Sequence, residues 1–546
     1  MFDYGTPGLR RRPRRSWDVA LAEGDVRHRA MTAAHRIDRS QSIPLARPSP
    51  LSRLALTILG AIALLWPAYL NGGPFWFPDT SNYIRAADAG VVFLTGSPSV
   101  WSDRLEIAAP TQAPADVGGV GRPSDAQAAP EIAPTRPVLV GRSIYYGFLL
   151  YLPMRLLGPW GAAFAQALIV AGVLVFAAGL IRREFRVLRR PVPAVLAGVL
   201  LIASPLPFFT AMLMPDVYSG LLVLCLATAI TLWSRLRMAE RLTLIAICAV
   251  IATFHTTHIL IALAMGLAAA VFAFGGAGRA RPILLTLPVV LVGALSVAAF
   301  NAAVTQALGQ PPVSPPFLSA RLTDAGPGTA YLNERCGDPD VTFVLCRYRD
   351  RLPLPSDNFL WNENPATGVY QVFDDAERAR VSREDLPFFF TVLAHDPVAL
   401  IGVSLKSFAE QLVSFDLAGF NLTPEEAGQL HDKYPSAIAQ SIQETLAARQ
   451  AMPLTPVIVL TIAATVASLA AIVLAFAAGR RYKPPYAQPG GSWLLLVLFG
   501  AVANAFICGA MSGPHGRYQM RLIWLLPVAA VAVLPPRSAQ NPKRYR

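Results

Sequence analysis

The chain has 546 residues, of which 54% are hydrophobic and 15% charged, and its mean hydropathy is +0.44. One soluble core cannot bury so much apolar surface, so the composition excludes an ordinary soluble domain and indicates a polytopic membrane protein. The formal net charge is +13. The basic residues concentrate beside apolar segments, where they determine membrane orientation, and the charge therefore calls for no nucleic-acid partner.

Apolar segments recur along the chain at lengths close to the roughly 20 residues that a transmembrane helix requires. The candidates lie at residues 51–70, 159–181, 192–208, 217–233, 242–257, 259–275, 282–303, 454–478, 492–511 and 522–535. The sequence therefore predicts an all-α polytopic membrane protein with about ten transmembrane helices. Because several segments are separated by few residues, a slightly different count also fits.

Basic residues mark every second connection between these segments. They lie in both terminal tails and after the second, fourth, sixth and eighth segments, at residues 10–15, 182–190, 235–241, 279–281, 480–483 and 543–546. The positive-inside rule places these connections and both termini in the cytoplasm. Residues 1–50 lack the apolar core of a signal peptide and are predicted to form a disordered tail, with Met31 as an alternative start to Met1.

The longer connections fall on the opposite, extracytoplasmic face. A first outer loop at residues 72–158 belongs to an N-terminal membrane module of residues 51–303. A small extracytoplasmic domain at residues 304–453 is inserted after the seventh span. The C-terminal spans follow at residues 454–535, before a cytoplasmic tail at residues 536–546.

Both outer segments contain stretches whose composition predicts flexible or membrane-surface structure. Residues 107–137 are rich in Ala, Pro and Gly without aromatic residues, which predicts a flexible insertion. The apolar stretch that begins at Arg142 is too short to span and predicts an interfacial helix, and residues 397–420 predict an amphipathic helix on the membrane. The aromatic residues at 348–361 suit either the core of a small domain or a sugar site.

Cysteine usage gives an independent indication of topology. Cys336 and Cys346 lie in the second outer loop at hairpin distance, whereas Cys225, Cys248 and Cys508 fall within apolar segments. Two loop cysteines on an oxidising face predict a disulfide, because a metal site requires further His or Cys ligands nearby.

Two acidic residues stand at the outer ends of spans. Asp79 follows the first span among aromatic residues, where a carboxylate meets both a lipid-borne reactant and water, so it is a candidate base. A helix N-cap is the alternative. Asp216 follows Pro215 and suits either a helix start or a second carboxylate that faces Asp79 to hold a hydroxyl or a divalent cation.

Two clusters of basic side chains lie at the same level. His255 and His258 share one helical face, and either hydrogen-bond a phosphate or are satisfied by neighbouring helices. Near the last span, outer-face basic residues break the positive-inside pattern in the cluster His515, Arg517, Tyr518 and Arg521. Arginine there suits bidentate capture of a phosphate headgroup, with a solvated turn as the alternative.

These features together resemble the GT-C superfamily of membrane glycosyltransferases, which take a sugar from a polyprenyl phosphate or diphosphate. The resemblance rests on an acidic residue after the first span, interfacial helices in a long first outer loop, a Pro-Asp turn before the fourth span and a late Arg-Tyr-x-x-Arg sequence. It covers residues 51–310 and 454–535 in layout. The interrupted first loop and the disulfide-bearing domain depart from the simplest members.

The resemblance implies transfer of a sugar to a glycan, lipid or protein acceptor with inversion, in a bacterial inner membrane with the site facing the periplasm or cell exterior. It makes Asp79 the general base and has Asp216 orient the acceptor or hold a divalent cation, Mg²⁺ or Mn²⁺. A metal is not required, because arginines can do the same electrostatic work. The donor phosphate would be bound by Arg517, Arg521, His515, His255 and His258. The acceptor and sugar would contact Asn82, Tyr83, Arg142 and Tyr518.

Other classes remain open at this point. A transporter or flippase of lipid-linked saccharides also needs many spans, but it should carry charges deep within its helices, where this sequence has few. A non-catalytic scaffold would tolerate replacement of Asp79. The absence of a Walker-type or dinucleotide-binding motif agrees with a lipid-borne donor.

Overall fold

The computed structural model describes residues 49–97, 99–102, 142–185, 192–272, 278–479 and 489–533. The predicted flexible insertion, most of both tails and the basic stretches at 186–190 and 480–483 lie outside these residues. The chain divides into a unit of residues 1–55 and a unit of residues 56–546, and every contact given below lies within the second. Among the described residues the regular structure is helical, with one isolated bridge between Phe75 and Met212. The predicted all-α fold is therefore observed in this part of the chain.

The helices follow one another in this order: α1 Pro50–Leu64, α2 Trp66–Asn71, α3 Thr80–Thr95, α4 Ile144–Phe185, α5 Val192–Ile202, α6 Leu206–Ala211, α7 Asp216–Leu232, α8 Met238–Ala252, α9 Thr256–Val271, α10 Ala280–Leu308, α11 Phe317–Ala325, α12 Pro327–Arg335, α13 Ser356–Trp361, α14 Asp375–His395, α15 Pro397–Val413, α16 Pro424–Gly428, α17 Leu430–Lys433, α18 Ser436–Gln443, α19 Leu454–Gly479, α20 Pro489–Met511, α21 Gly516–Ile523 and α22 Leu525–Val533.

Six segments in the described part of the chain are long and apolar enough to cross a membrane: Pro50–Asn71, Ile144–Phe185, Asp216–Arg235, Ala280–Ala307, Leu454–Ala477 and Gly490–Met511. A seventh is reached if α14 and α15, which are bent by 110°, form one broken span. Polar and aromatic side chains interrupt other apolar segments. Ser204 and Pro205 separate α5 from α6, and the Trp524 indole bonds the Arg521 carbonyl between α21 and α22. The count of ten stays a prediction.

A glycine divides the longest helix. Gly158 in α4 has φ 68° and ψ −165°, a conformation that side chains with a Cβ rarely adopt, and Pro159 then restarts the helix. Residues 144–157 therefore form a helical segment distinct from the span that follows. Leu152, Leu156 and Leu157 on this segment are exposed, as an interfacial helix requires.

The described residues form two hydrophobic cores. The main core joins the long helices and continues into residues 417–457, whereas a second core is built from residues 320–400 around Tyr331, Phe359 and Phe388. The predicted domain at 304–453 is thus divided, because its later part packs on the main core. The aromatic side chain of Phe359 is fully buried in the second core, while Trp361 is 46% exposed. The predicted disulfide between Cys336 and Cys346 is present.

Candidate functional site

Asp79 lies at the start of α3 but does not cap it. Its side chain forms no hydrogen bond with the first turn of the helix. Instead, Oδ2 accepts a hydrogen bond from Nη2 of Arg142 at 2.6 Å. The Asp79 side chain is 17% exposed and that of Arg142 19%. The carboxylate is therefore oriented by an arginine and still reachable from outside, and the N-cap alternative is not observed.

Backbone pairing connects the Asp79 loop to the loop before Asp216. The amide of Phe75 donates to the Ala211 carbonyl, and the amide of Leu213 donates to the Phe75 carbonyl, both at 3.0 Å. The Thr80 hydroxyl also donates to the Leu213 carbonyl. These bonds bring two chain segments that are distant in sequence to one end of the helical bundle.

Gln166 holds the second of these loops from within α4. Its Nε2 atom donates to the carbonyls of Thr210 and Met212, and its Oε1 atom accepts from the hydroxyl of Tyr146. Gln166 and Tyr146 are fully buried. A buried glutamine in an apolar span can bond backbone carbonyls that lipid leaves without a partner. Gln166 therefore fixes the position of the loop and takes no part in the chemistry.

Asp216 forms a buried ion pair with Arg521. Nη1 of Arg521 lies 3.0 Å from Oδ1 of Asp216, and the two side chains are 4% and 5% exposed. Nη2 of Arg521 also donates to Asn504 Oδ1 at 2.7 Å and contacts the Cys508 sulfur at 3.1 Å. Asp216 is consequently not a free carboxylate facing Asp79, and Arg521 has its terminal nitrogens engaged within the protein.

The charge of Arg517 interacts with the carboxylates of Asp216 and Asp79 only from a distance, without a direct ion pair. Its guanidinium carbon lies 4.1 Å from the centre of the Phe77 ring and 5.1 Å from that of Tyr518. Its Nη1 atom is buried, and no described residue offers it a hydrogen bond. No carboxylate of the described residues lies within ion-pairing distance of it. Buried donors are normally satisfied, so an unpaired guanidinium nitrogen is suited to an anion from outside the chain.

Tyr83 lies between these charges. Burial raises the pKa of its phenol, the Arg142 charge lowers it, and the carboxylates of Asp79 and Asp216 raise it again. Arg517 acts on the same hydroxyl. Charges from four separate segments therefore act on one phenol. Tyr83 itself is 1% exposed and lies beneath the site rather than on its surface.

Asn82, the neighbouring residue predicted to contact the acceptor, is exposed on the first turn of α3. Tyr518 is half-buried, and its ring lies beside both Arg517 and Arg521. Of the predicted acceptor contacts, these two residues and Arg142 have surface that a substrate can reach.

The histidines differ in their surroundings. Nδ1 of His258 lies 2.8 Å from the Ile251 carbonyl, so it donates there, and Nε2 accepts from the Ser219 hydroxyl at 2.9 Å. This is the structural alternative considered above, because both ring nitrogens are satisfied. His255 caps α9 by accepting from the Thr257 amide. Desolvation and the neighbouring charge of Arg517 lower the pKa of His515, so its ring is neutral near pH 7.

The carboxylates offer little to a divalent cation. Asp79 and Asp216 each face an arginine, and no group of three or more His, Cys, Asp or Glu side chains lies together among the described residues. A metal ion would have to displace an arginine from its carboxylate. These residues therefore do not fit Mg²⁺ or Mn²⁺ as they stand.

A shallow surface depression adjoins the charged cluster, lined by Trp76, Phe77, Pro78, Leu422, Glu426, Leu430, Lys433 and Tyr434. It contains neither Asp79 nor Arg517, but it shares the Phe77 ring with Arg517. The Tyr434 hydroxyl donates to the Phe77 carbonyl and fixes this segment of the chain.

The sequence did not single out Phe77, Gln166 and Asn504. For the last two, a signal was available, since each is an uncharged polar residue inside an apolar span.

No model of a known protein family, no curated protein and no solved structure matches this chain.

Proposed function

We propose that the protein is a membrane glycosyltransferase of the GT-C type, which transfers a sugar from a polyprenyl-phosphate-linked donor to an acceptor with inversion. The site would face the periplasm or cell exterior of a bacterial inner membrane. The observation that supports this most is Arg517, a half-buried cation without an ion-pair partner among the described residues, in the same cluster as the oriented carboxylate of Asp79. A base beside an unfilled anion site suits displacement of a phosphate leaving group.

In this reaction the acceptor oxygen attacks the anomeric carbon of the donor. As the new bond to carbon forms, Asp79 takes the hydroxyl proton, and the bond between carbon and the phosphate oxygen breaks with its electron pair passing to the phosphate. Arg517 neutralises the charge that develops there. General-base help is worth about 10²–10⁴ in rate, and fixed charge on a leaving group often contributes more.

The remaining residues take supporting roles in this proposal. Arg142 holds the Asp79 carboxylate in one orientation through the 2.6 Å hydrogen bond. The Asp216–Arg521 pair joins the first turn of α7 to α21, the helix that carries Arg517. Asp216 thus positions the anion site instead of acting as a second base. Asn82 and Tyr518 are the side chains with surface available to the acceptor and the sugar.

The experiment is sugar release from a panel of polyprenyl-phosphate sugars by the purified protein in lipid nanodiscs. Asp79→Asn and Arg517→Ala are the test variants. Asp350→Asn and Arg449→Ala are matched controls, because both residues are exposed and lie in the second outer segment. We expect turnover by the parent and both controls, and a loss of at least about 100-fold in each test variant.

Two results would contradict the proposal. If no donor on the panel is consumed while liposomes containing the protein translocate the lipid-linked saccharide, the protein is a flippase. If the Asp79→Asn variant turns over as fast as the parent, Asp79 is not the base.

A further inference from the structure

Gln411 on α15 is hydrogen-bonded to the turn that precedes α21, the helix that carries Arg517. Its Nε2 atom donates to the His515 carbonyl at 2.8 Å, and its Oε1 atom accepts from the His515 amide at 2.9 Å. One side chain thereby satisfies both backbone groups of a single residue, and it is fully buried. His515 is the N-cap residue of α21, two positions before Arg517.

The same turn is enclosed by close backbone contacts. A Cβ placed on Gly516 would lie 1.8 Å from a carboxylate oxygen of Asp416, the third residue after α15 ends. A Cβ on Gly509 of α20 would lie 2.8 Å from the Ser407 carbonyl of α15. Such separations leave no room for a side chain, so the turn is seated between α15 and the outer end of α20.

No ion pair with a described residue restrains the Arg517 side chain. Its guanidinium rests on the rings of Phe77 and Tyr518, contacts that fix distance better than direction. Its charge also interacts with the hydroxyl of Tyr518, which is the next residue of the same helix and so depends on the same backbone. The backbone from which the side chain extends is therefore what sets its direction. That backbone is fixed by α15 through the two hydrogen bonds between Gln411 and His515.

We propose that Gln411 is a positioning residue that acts through Arg517, so that α15 sets the geometry of the anion site. The inference rests on the proposed function and deepens it. It gives the inserted segment a part in substrate binding, because α15 contributes Leu400 to the second core at one end and Gln411 to the turn at the other. The second core and the anion site are thereby joined through one helix.

The test measures binding of farnesyl phosphate to the purified full-length protein in nanodiscs, with farnesol as the control for partition into lipid. The proteins compared are the parent, Gln411→Leu, Arg517→Ala and the double variant. Gln371→Leu is the matched control, because this glutamine bonds a backbone carbonyl within the second outer segment, away from the Arg517 turn. Gln411→Asn serves as a second variant, since it keeps the amide but is too short to reach both groups.

We expect Arg517→Ala to weaken farnesyl phosphate binding strongly and Gln411→Leu to weaken it about tenfold, with Gln371→Leu unchanged. The double variant should bind no worse than Arg517→Ala alone, which is the signature of action through that arginine. Gln411→Asn should show a similar loss of binding while losing less thermal stability than Gln411→Leu, because it keeps one of the two backbone bonds.

The results that overturn the inference are distinct from those that overturn the proposed function. If Arg517→Ala weakens binding but both Gln411 variants bind like the parent, Gln411 has no positioning role and the anion site stands. If the losses add in the double variant, Gln411 acts elsewhere. If Arg517→Ala itself binds farnesyl phosphate normally, the anion site is absent and both proposals fall.

Discussion

Replacement of Asp216 provides a direct measure of the buried ion pair. In an Asp216→Leu variant, Arg521 would keep its bonds to Asn504 and Cys508 but lose the carboxylate that balances its charge. Both side chains are at most 5% exposed, so water cannot replace the missing partner. Removal of one member of such a pair costs about 3–5 kcal/mol. We expect a loss of that size in the free energy of unfolding.

Replacing both members should restore most of this loss. An Asp216→Leu/Arg521→Met variant buries two apolar side chains and no unpaired charge, an exchange that is often close to neutral. Each single variant, Asp216→Leu or Arg521→Met, should lose about 3–5 kcal/mol and the double variant little, so the coupling energy in a double-mutant cycle should be at least about 3 kcal/mol. The assay is reversible unfolding by titration with sodium dodecyl sulfate in mixed micelles, followed by helical circular dichroism.

Two outcomes would refute this reasoning. Additive losses in the cycle would mean that the pair makes no net interaction in the folded protein. A double variant that is as unstable as Asp216→Leu alone would mean that the loss comes from packing and not from the unpaired charge of Arg521.

Three further predictions follow from local geometry. Gly147→Ala places a Cβ 2.1 Å from the Tyr83 carbonyl oxygen and should cost about 1–3 kcal/mol in the same unfolding assay, because α3 and α4 must separate. The pKa of His515 is lowered in the folded protein, so the unfolded chain takes up a proton first as the pH falls below about 6.5. The free energy of unfolding should therefore decrease with falling pH in this range, and the His515→Asn variant should lack that pH dependence. Cys336→Ser should destabilise the second core by about 2–4 kcal/mol, seen as faster proteolysis within residues 317–413.

Each of these has a simple control. Gly402→Ala meets no atom within 4 Å and should be tolerated where Gly147→Ala is not. His431→Asn, on an exposed stretch, should leave the pH slope in place. Cys225→Ser lies in α7 and should not expose the second core. Equal behaviour of a test variant and its control would contradict the corresponding prediction.

The class of protein and several local features could be predicted from the sequence because they depend on short-range patterns. Apolar length identified the long helices, and the spacing of Cys336 and Cys346 was enough for the disulfide. The pairing of Asp216 with Arg521 could not be predicted in this way, since the two residues are 305 positions apart. Their separate motifs suggested a base and a phosphate ligand, whereas the fold makes each the partner of the other.

Backbone detail was also beyond the sequence pattern. The sequence predicted a separate span from residue 159, but hydrophobic periodicity alone did not indicate that Gly158 takes a positive φ. For His258, the sequence spacing suggested a role that the structure does not support. Its spacing from His255 fits a ligand pair, but the Ser219 hydroxyl and the Ile251 carbonyl satisfy it. The partner of His255 is local, at Thr257, whereas the choice between the alternatives for His258 depended on Ser219, which is 39 positions away.

The long sequence separation within the Asp216–Arg521 pair has a consequence for biogenesis. During synthesis, α7 enters the membrane with an acidic residue on its first turn well before the compensating arginine leaves the ribosome. Until then this end of the helix has to remain near water or within the insertion machinery. We expect nascent chains truncated before residue 516 to leave that carboxylate unmatched, which would make incomplete products recognisable to membrane quality-control proteases.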